Sequence, residues 1–212
     1  MCGRFANHIQ QMREWADLFA DWPEGAYVGF NVAPTMIIPV FTPQGGHAMR
    51  WGLIPVWAKE IGKFSTYNAR LESVTDKPAY RHAWRAGQRC LVPILGYYEW
   101  RREGKIKQPY FIRAESGSPL AMAGLWEPGR DEFPASCTVL TTEALPELAD
   151  IHPRMPVFIS RAHAEQWYQA PPQGLLNQMQ TWEPEPLVAY PVSTAVNSGK
   201  AEGRELIEPI ER

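Results

Sequence analysis

Short apolar runs that alternate with polar residues, each closed by a turn-forming cluster, recur along most of this chain. Residues 36–41, 47–53, 89–95, 97–102, 109–114, 120–126, 136–141 and 187–192 add β-branched and aromatic side chains to that alternation and predict strands. Residues 30–35 read as an extended lead-in, its regularity limited by Pro34. Thr42-Pro43-Gln44-Gly45-Gly46, Glu103-Gly104-Lys105 and Glu115-Ser116-Gly117 carry hairpin-turn chemistry, so neighbouring strands are expected to pair antiparallel. Helical period is confined to short stretches. Trp15, Leu18 and Phe19 fall at i, i+3 and i+4 within residues 10–20, with Asn7 placed to cap them. Residues 80–86, 143–148 and 160–169, the last behind Ser160 as N-cap, are further helix candidates, and the segment opening at Tyr67 is expected to turn helical. Residues 171–186 have no regular period. Strands outnumber helices, which predicts an α+β fold: a single domain over residues 1–212 with a mostly antiparallel, barrel-like β core and short flanking helices.

Composition narrows the class. A chain of 212 residues with 45% hydrophobic content buries one sizeable core and is short for two ordinary domains. The cysteines at 2, 90 and 137 make no Cys-x-x-Cys pair, and the histidines at 8, 47, 82, 152 and 163 make no His-Glu-x-x-His. Neither a disulfide, a metal nor another cofactor is expected. No apolar run reaches the length of a membrane span and the N-terminus lacks a signal-type apolar region, so we expect a cytoplasmic monomer without a membrane partner.

Net charge is −2, which excludes a generically basic nucleic-acid binder, yet the charge is unevenly spread. Residues 50–113 hold 13 Lys/Arg against 5 Asp/Glu, and the remainder holds 8 against 18. Two readings fit: a local positive surface for phosphates, or arginines that pair with the acidic remainder after folding.

Cys2 is the first candidate for chemistry. Once Met1 is removed, residue 2 carries a free α-amine and a thiol on adjacent carbons, a 1,2-aminothiol that condenses with an aldehyde to a Schiff base and then closes a thiazolidine ring. Glu99 sits in Gly96-Tyr97-Tyr98-Glu99-Trp100, where aromatic surroundings raise a carboxyl pKa toward that of a general acid. Strand geometry also places Arg101 on the Glu99 face, so a surface acid paired to arginine is the competing reading. His152 and Arg154 lie in Ile151-His152-Pro153-Arg154-Met155-Pro156, a backbone stiffened by two prolines that suits proton transfer at His152 and a phosphate clamp at Arg154. Asn68 and Arg70 alternate, so in extended backbone an amide and a guanidinium share a face. Trp51, Trp57 and Pro34 are core material or, if exposed, stacking and wedge surfaces for unpaired bases.

These segments together resemble the SRAP family, the SOS-response-associated peptidases or abasic-site processing proteins. The likeness runs through Met1-Cys2-Gly3-Arg4-Phe5, Asn31-Val32-Ala33-Pro34, Trp51-Gly52-Leu53-Ile54-Pro55-Val56-Trp57, Asn68-Ala69-Arg70-Leu71-Glu72-Ser73, the Glu99 and His152 segments, Val192-Ser193-Thr194-Ala195-Val196-Asn197 and Glu205-Leu206-Ile207. The resemblance implies a protein that binds abasic sites in single-stranded DNA and crosslinks itself to them through Cys2, with autoproteolytic Met1 release, lyase-type Schiff-base chemistry and crosslink reversal. It places Cys2, Asn68, Glu99 and His152 in the active site, and Arg4, Arg70, Thr141 and Arg154 on phosphates beside the lesion. In a bacterial cell such a protein would gather on the nucleoid at damage sites. Tyr97, Ser73 and Ser198 depart from the family pattern, and Ser198 leaves the role of the terminal motif open. Two other classes compete. Class II glutamine amidotransferases also begin Met-Cys-Gly and use an unmasked Cys2 thiol, while a noncovalent single-strand binding module would use the basic third and the aromatics without Cys2.

Overall fold

Strands buried at nearly every position, on both faces, form the centre of the molecule. The computed structural model describes residues 2–8, 15, 17, 19–62, 65–183 and 185–210. Its strands are β1 (Phe5–Asn7), β2 (Gly29–Val32), β3 (Ile37–Thr42), β4 (Gly45–Trp51), β5 (Asn68–Arg70), β6 (Arg89–Ile94), β7 (Gly96–Glu103), β8 (Ile106–Ala114), β9 (Leu120–Glu127), β10 (Ser136–Glu143), β11 (Arg154–Pro156) and β12 (Leu187–Pro191). One sheet has the order β12-β8-β7-β1-β2. The other runs β11-β10-β4-β3-β6-β9, with β5 also on β10, and β9 pairs back onto β10 to close a ring of five strands. This is the barrel-like α+β core expected from the sequence, with two parallel pairings, β10 on β4 and β10 on β5, inside a mostly antiparallel arrangement.

Period-2 alternation explains why the ring is apolar on both faces. Cys90, Val92 and Ile94 of β6, Leu120 and Met122 of β9, and Cys137 and Val139 of β10 enter one core cluster with Cys2, Phe5 and Trp51. The intervening Leu91, Ala121, Ala123, Leu125 and Leu140 face a second cluster under α1 (Arg81–Arg85), α2 (Ala164–Gln169) and α3 (Pro172–Met179). Gly124 is required where β9 meets its neighbours: a Cβ there would lie 2.7 Å from the Thr138 carbonyl and 2.8 Å from the Cys90 sulfur. Arg89, though buried, is held by Trp84 and Trp167, and its guanidinium donates to the Trp167 and Tyr168 carbonyls in the last turn of α2, where a cation opposes the helix dipole. A third cluster, with Tyr98, Phe111, Val192, Val196 and Leu206, lies on the other side of the five-stranded sheet beneath the C-terminal 3-10 turns.

Helix expectations fared less well. The sequence predicts helix over 143–148, but Thr142 and Glu143 continue β10 by pairing with Met155 and Arg154 of β11, and only Pro146–Leu148 forms a 3-10 turn. The segment after Tyr67 is strand β5 followed by the 3-10 turn Leu71–Ser73, because its backbone pairs with β10. Residues 171–186, expected to be irregular, contain α3, kinked where Gly174 takes φ 80°. Residues 81–85 and 164–169 are helical as read, although Ser160 makes no capping bond and its hydroxyl lies 2.9 Å from His163 Nδ1. Much of the expected 10–20 helix lies outside the described residues; within it Trp15 stacks on Phe19 at 5.2 Å, and both are buried. Among the described residues no helix is long and apolar enough to cross a membrane.

Candidate active site

β1 pairs with β2 on one side and β7 on the other, with Phe5 opposite Val32 and Tyr97. That double pairing anchors the chain three residues before β1 and carries Cys2, fully buried, into the first core cluster. Burial, and after it the charge of Glu99, push the Cys2 thiol far above its ordinary pKa. The thiol therefore stays protonated at neutral pH and needs a proton acceptor before it can attack.

On β7 the alternation turns Tyr97 and Glu99 toward Cys2 and turns Tyr98 and Trp100 to the third cluster. Glu99 is 3% exposed. Burial raises its carboxyl above the ordinary 4.5, opposed in part by His152, whose Nδ1 lies 3.8 Å from Glu99 Oε1. The direction is that of the general-acid reading. Arg101, the competing partner, lies over the Tyr110 ring at 4.7 Å.

His152 is placed by a turn in which the amides of Ile151 and His152 both donate to the Leu148 carbonyl, at 2.9 and 3.1 Å. The Arg154 amide donates to His152 Nδ1 at 3.0 Å, and the Arg154 carbonyl lies 3.1 Å from the same nitrogen. One neighbouring residue thus presents Nδ1 with both a donor and an acceptor, which fixes the ring's orientation. Asn68 is fixed by its strand pairing opposite Val139 and by the Tyr80 hydroxyl, which donates to its carbonyl at 2.9 Å. Its side-chain Nδ2 donates to the Cys2 carbonyl at 2.7 Å. Asn68 Oδ1 is buried and has no hydrogen-bond partner among the described residues.

The structure thus brings Cys2, Asn68, Glu99 and His152 together from four distant stretches of sequence. A cavity of about 410 Å³, lined by Glu99, Trp100, Lys107, His152 and Asn197, opens on the cluster. Among the described residues no three His, Cys, Asp or Glu side chains converge to hold a metal.

The remaining sequence candidates divide. Arg70 is exposed and its Cα is opposite Thr141, while the buried Thr141 hydroxyl donates to the Ala69 carbonyl at 3.4 Å. Arg154 shares its strand end with both: it forks onto Glu72 at 2.8 and 2.9 Å and donates to the Thr141 carbonyl at 2.6 Å. Arg4 lies half-buried, its guanidinium donating to Asn31 Oδ1 at 2.6 Å and the Val196 carbonyl at 2.9 Å. Trp57 is 55% exposed beside Val56 and Ile61 at the rim of a separate cleft of about 340 Å³; Arg130 pins its loop through the Pro55 and Ala58 carbonyls. Pro34 is half-buried, next to Thr35 at φ 76°. Trp51 corrects the sequence reading of a stacking surface. It is fully buried against Phe5, with Nε1 donating to the Tyr67 carbonyl at 2.9 Å, and offers no face to a base.

Sequence reasoning missed several residues here. Tyr97 is buried close enough to Cys2 and Glu99 for their charges to raise its hydroxyl further. Asn197, in the motif whose role was open, accepts from Trp100 Nε1 at 2.7 Å, and Asn31 ties Arg4 to the Ser198 and Ala201 carbonyls. Lys107 was visible only as a member of a charge-rich stretch and Glu72 only as part of the Asn68–Ser73 motif, since nothing local says which pocket or cation they meet.

Comparison with known proteins identifies the family. The sequence matches the family described as SOS response associated peptidase (SRAP) over residues 1–199. It is 35% identical to the abasic site processing protein YoaM of Bacillus subtilis across 98% of both chains. It is 34% identical to the abasic site processing protein HMCES of Gallus gallus over 77% of this chain and 57% of that protein. A crystal structure of a protein from Bordetella bronchiseptica superposes with a TM-score of 0.80 at 26% identity, covering 91% of this chain and 100% of the other. A Bacteroides thetaiotaomicron protein, 21% identical, shares the fold at the same TM-score of 0.80 over 99% of each chain. The chain belongs to the SOS response associated peptidase (SRAP) family, a family of abasic site processing proteins.

Proposed function

We propose that this protein binds an abasic site in single-stranded DNA and, once Met1 is removed, joins Cys2 to the lesion's C1′ aldehyde as a thiazolidine. The observation that carries the reading is the meeting of buried Cys2, Asn68 and Glu99 with the half-buried His152 beside an open cavity. Family membership supports abasic DNA as the substrate.

An abasic deoxyribose is mostly a closed hemiacetal, so a proton must move from its C1′ hydroxyl and another must reach the ring oxygen before the aldehyde is free. Glu99, with its raised carboxyl, is the group for that exchange. The α-amine of Cys2 then adds to C1′. The resulting hydroxyl departs as water with a proton from Glu99, leaving a protonated Schiff base and a carboxylate. The Cys2 sulfur adds to C1′, its proton passes to the Glu99 carboxylate and restores the acid, and the five-membered ring closes with a neutral ring nitrogen and one water released overall. Reversal runs the same steps backward, with water added. Asn68 holds the Cys2 carbonyl through Nδ2, and its Oδ1 is an acceptor available to the α-amine. His152 modulates the Glu99 charge at 3.8 Å and assists imine hydrolysis. Met1 release is hydrolysis of the peptide bond ahead of Cys2. Arg70 and Arg154 serve the flanking phosphates, while Trp57 and Pro34 are the surfaces for unpaired bases. Arg4, just ahead of β1 and held by the Asn31 and Val196 contacts, serves a phosphate nearer to Cys2.

A denaturing gel tests this. Incubated with single-stranded DNA carrying one abasic site, the protein is expected to give a heat-stable shifted band that is lost in Cys2→Ala and when the N-terminus is blocked by an uncleaved extension. A band that persists in Cys2→Ala would exclude the thiazolidine. Binding without any covalent band would favour the noncovalent module, and ammonia release from glutamine the amidotransferase.

A further inference from the structure

The fork of Arg154 is filled. Nη1 and Nη2 donate to the two carboxylate oxygens of Glu72 at 2.8 and 2.9 Å, a bidentate geometry that a phosphate diester would also satisfy. Glu72 sits in the 3-10 turn directly after β5, so Arg70 stands two residues before it. The charges of both Arg154 and Arg70 help hold the Glu72 carboxyl below its ordinary value, against the effect of burial. One carboxylate therefore lies between the two cations that the preceding section assigns to DNA. Arg154 is seated independently of it, because Nη2 also donates to the Thr141 carbonyl at 2.6 Å and the Thr141 hydroxyl lies 3.4 Å away. The partners differ in accessibility: the Glu72 side chain is 50% exposed and that of Arg154 15%. Glu72 can swing into solvent while Arg154 stays on Thr141.

We propose that Glu72 is an internal stand-in for a DNA phosphate, and that binding single-stranded DNA displaces it from Arg154. The inference rests on the reading of Arg154 as a phosphate contact. Glu72 tunes affinity rather than chemistry. The phosphate must replace an existing anion, so undamaged single strands are held more weakly, and the displaced carboxylate regains a counter-cation that offsets part of the counterion release.

The test is fluorescence anisotropy with an undamaged labelled oligothymidylate of about 15 nucleotides, which spans a typical single-strand site and cannot react with Cys2. Glu72→Gln is expected to tighten binding about 3- to 10-fold at low salt and to steepen the slope of log K against log salt by about 0.7, one phosphate contact on a single strand. Glu72→Asp keeps the charge but shortens the reach, and is expected to tighten binding by a smaller factor; it carries the test if Glu72→Gln does not fold. In an Arg154→Gln background the effect of Glu72→Gln shrinks, because the pair has already been broken. If Arg154→Gln weakens binding while both Glu72 variants bind equally or more weakly than the parent, Glu72 holds Arg154 in place for DNA and the displacement idea is overturned. If Arg154→Gln leaves affinity unchanged, Arg154 is no phosphate contact, and that assignment and the inference fall together.

Discussion

The two sheets bring opposite kinds of residue to the same place. The five-stranded sheet supplies Cys2, just ahead of β1, and Glu99 on β7, both withdrawn from water and both shifted toward their neutral forms. The seven-stranded sheet supplies Arg70 at the end of β5 and Arg154 at the start of β11, charged groups left exposed or half-buried at strand ends. Asn68 begins the same short strand that ends at Arg70, and reaches across to the Cys2 carbonyl. Desolvation gives an acid a pKa useful for proton transfer, whereas a phosphate contact gains from a cation that water and DNA can reach. On the proposed reading, building the two from different sheets lets one fold meet both demands at one site.

The largest expected effect separates these halves. Glu99→Gln keeps the shape of the side chain and removes its proton chemistry, so crosslinking to abasic single-stranded DNA should slow by at least about 100-fold, the usual contribution of a general acid-base group. Affinity for undamaged single strands should stay within about twofold, because the lost charge belongs to the buried half. Single-turnover crosslinking and anisotropy on the same preparations check the pair. Equal losses in both would erase the division of labour.

A second contrast lies within seven residues of sequence. Trp51 and Trp57 read alike, as aromatic bookends of Gly-Leu-Ile-Pro-Val. Folded, Trp51 is fully buried in the first core cluster and Trp57 is 55% exposed. Trp51→Ala is therefore expected to cost about 3–5 kcal/mol of stability, measured by urea unfolding. Trp57→Ala should leave unfolding nearly unchanged and weaken single-strand binding by about 1–3 kcal/mol, the range for one lost stacking platform. If Trp57→Ala binds as well as the parent, the exposed loop of Val56, Trp57 and Ile61 serves something other than unpaired bases.

That pair also marks the limit of what the sequence could tell. Alternation identified the ring strands because their pattern is set by core packing, which is written locally: Cys90, Val92 and Ile94 point one way, Leu91 the other. It could not say which of two tryptophans in a Pro/Gly-punctuated loop turns inward, because that choice depends on Phe5 and Tyr67, distant in sequence. β11 escaped notice for a related reason. Arg154-Met155-Pro156 has no strand signal of its own and exists as a strand by pairing with residues 141–143. Cys2, Glu99 and His152 could be singled out as candidates because each carries reactive chemistry in a distinctive local setting. The partners Asn31 and Glu72 were not, since a polar residue does not reveal in sequence that it will close a bond over distances of 27 or 82 positions.

The smallest effect tests the buried half by stability alone. In the fold Glu99 titrates above its ordinary 4.5 because burial penalises the carboxylate. Between 4.5 and that raised value the folded chain keeps a proton that the unfolded chain has lost, so stability contributed by this group falls as pH rises across the window. Glu99→Gln has no such proton to lose. Its melting temperature should match that of the parent well below pH 4.5, where Glu99 is neutral in both states, and exceed it at neutral pH. Melting curves of both proteins from acid to neutral pH read the gap directly. A gap that is constant with pH would mean that the surroundings of Glu99 fully compensate the carboxylate for its burial, and one that comes to favour the parent at neutral pH that they more than compensate it. Glu99 would then belong with the charged groups of the other sheet, and the contrast between the two halves would have to be redrawn around Cys2 alone.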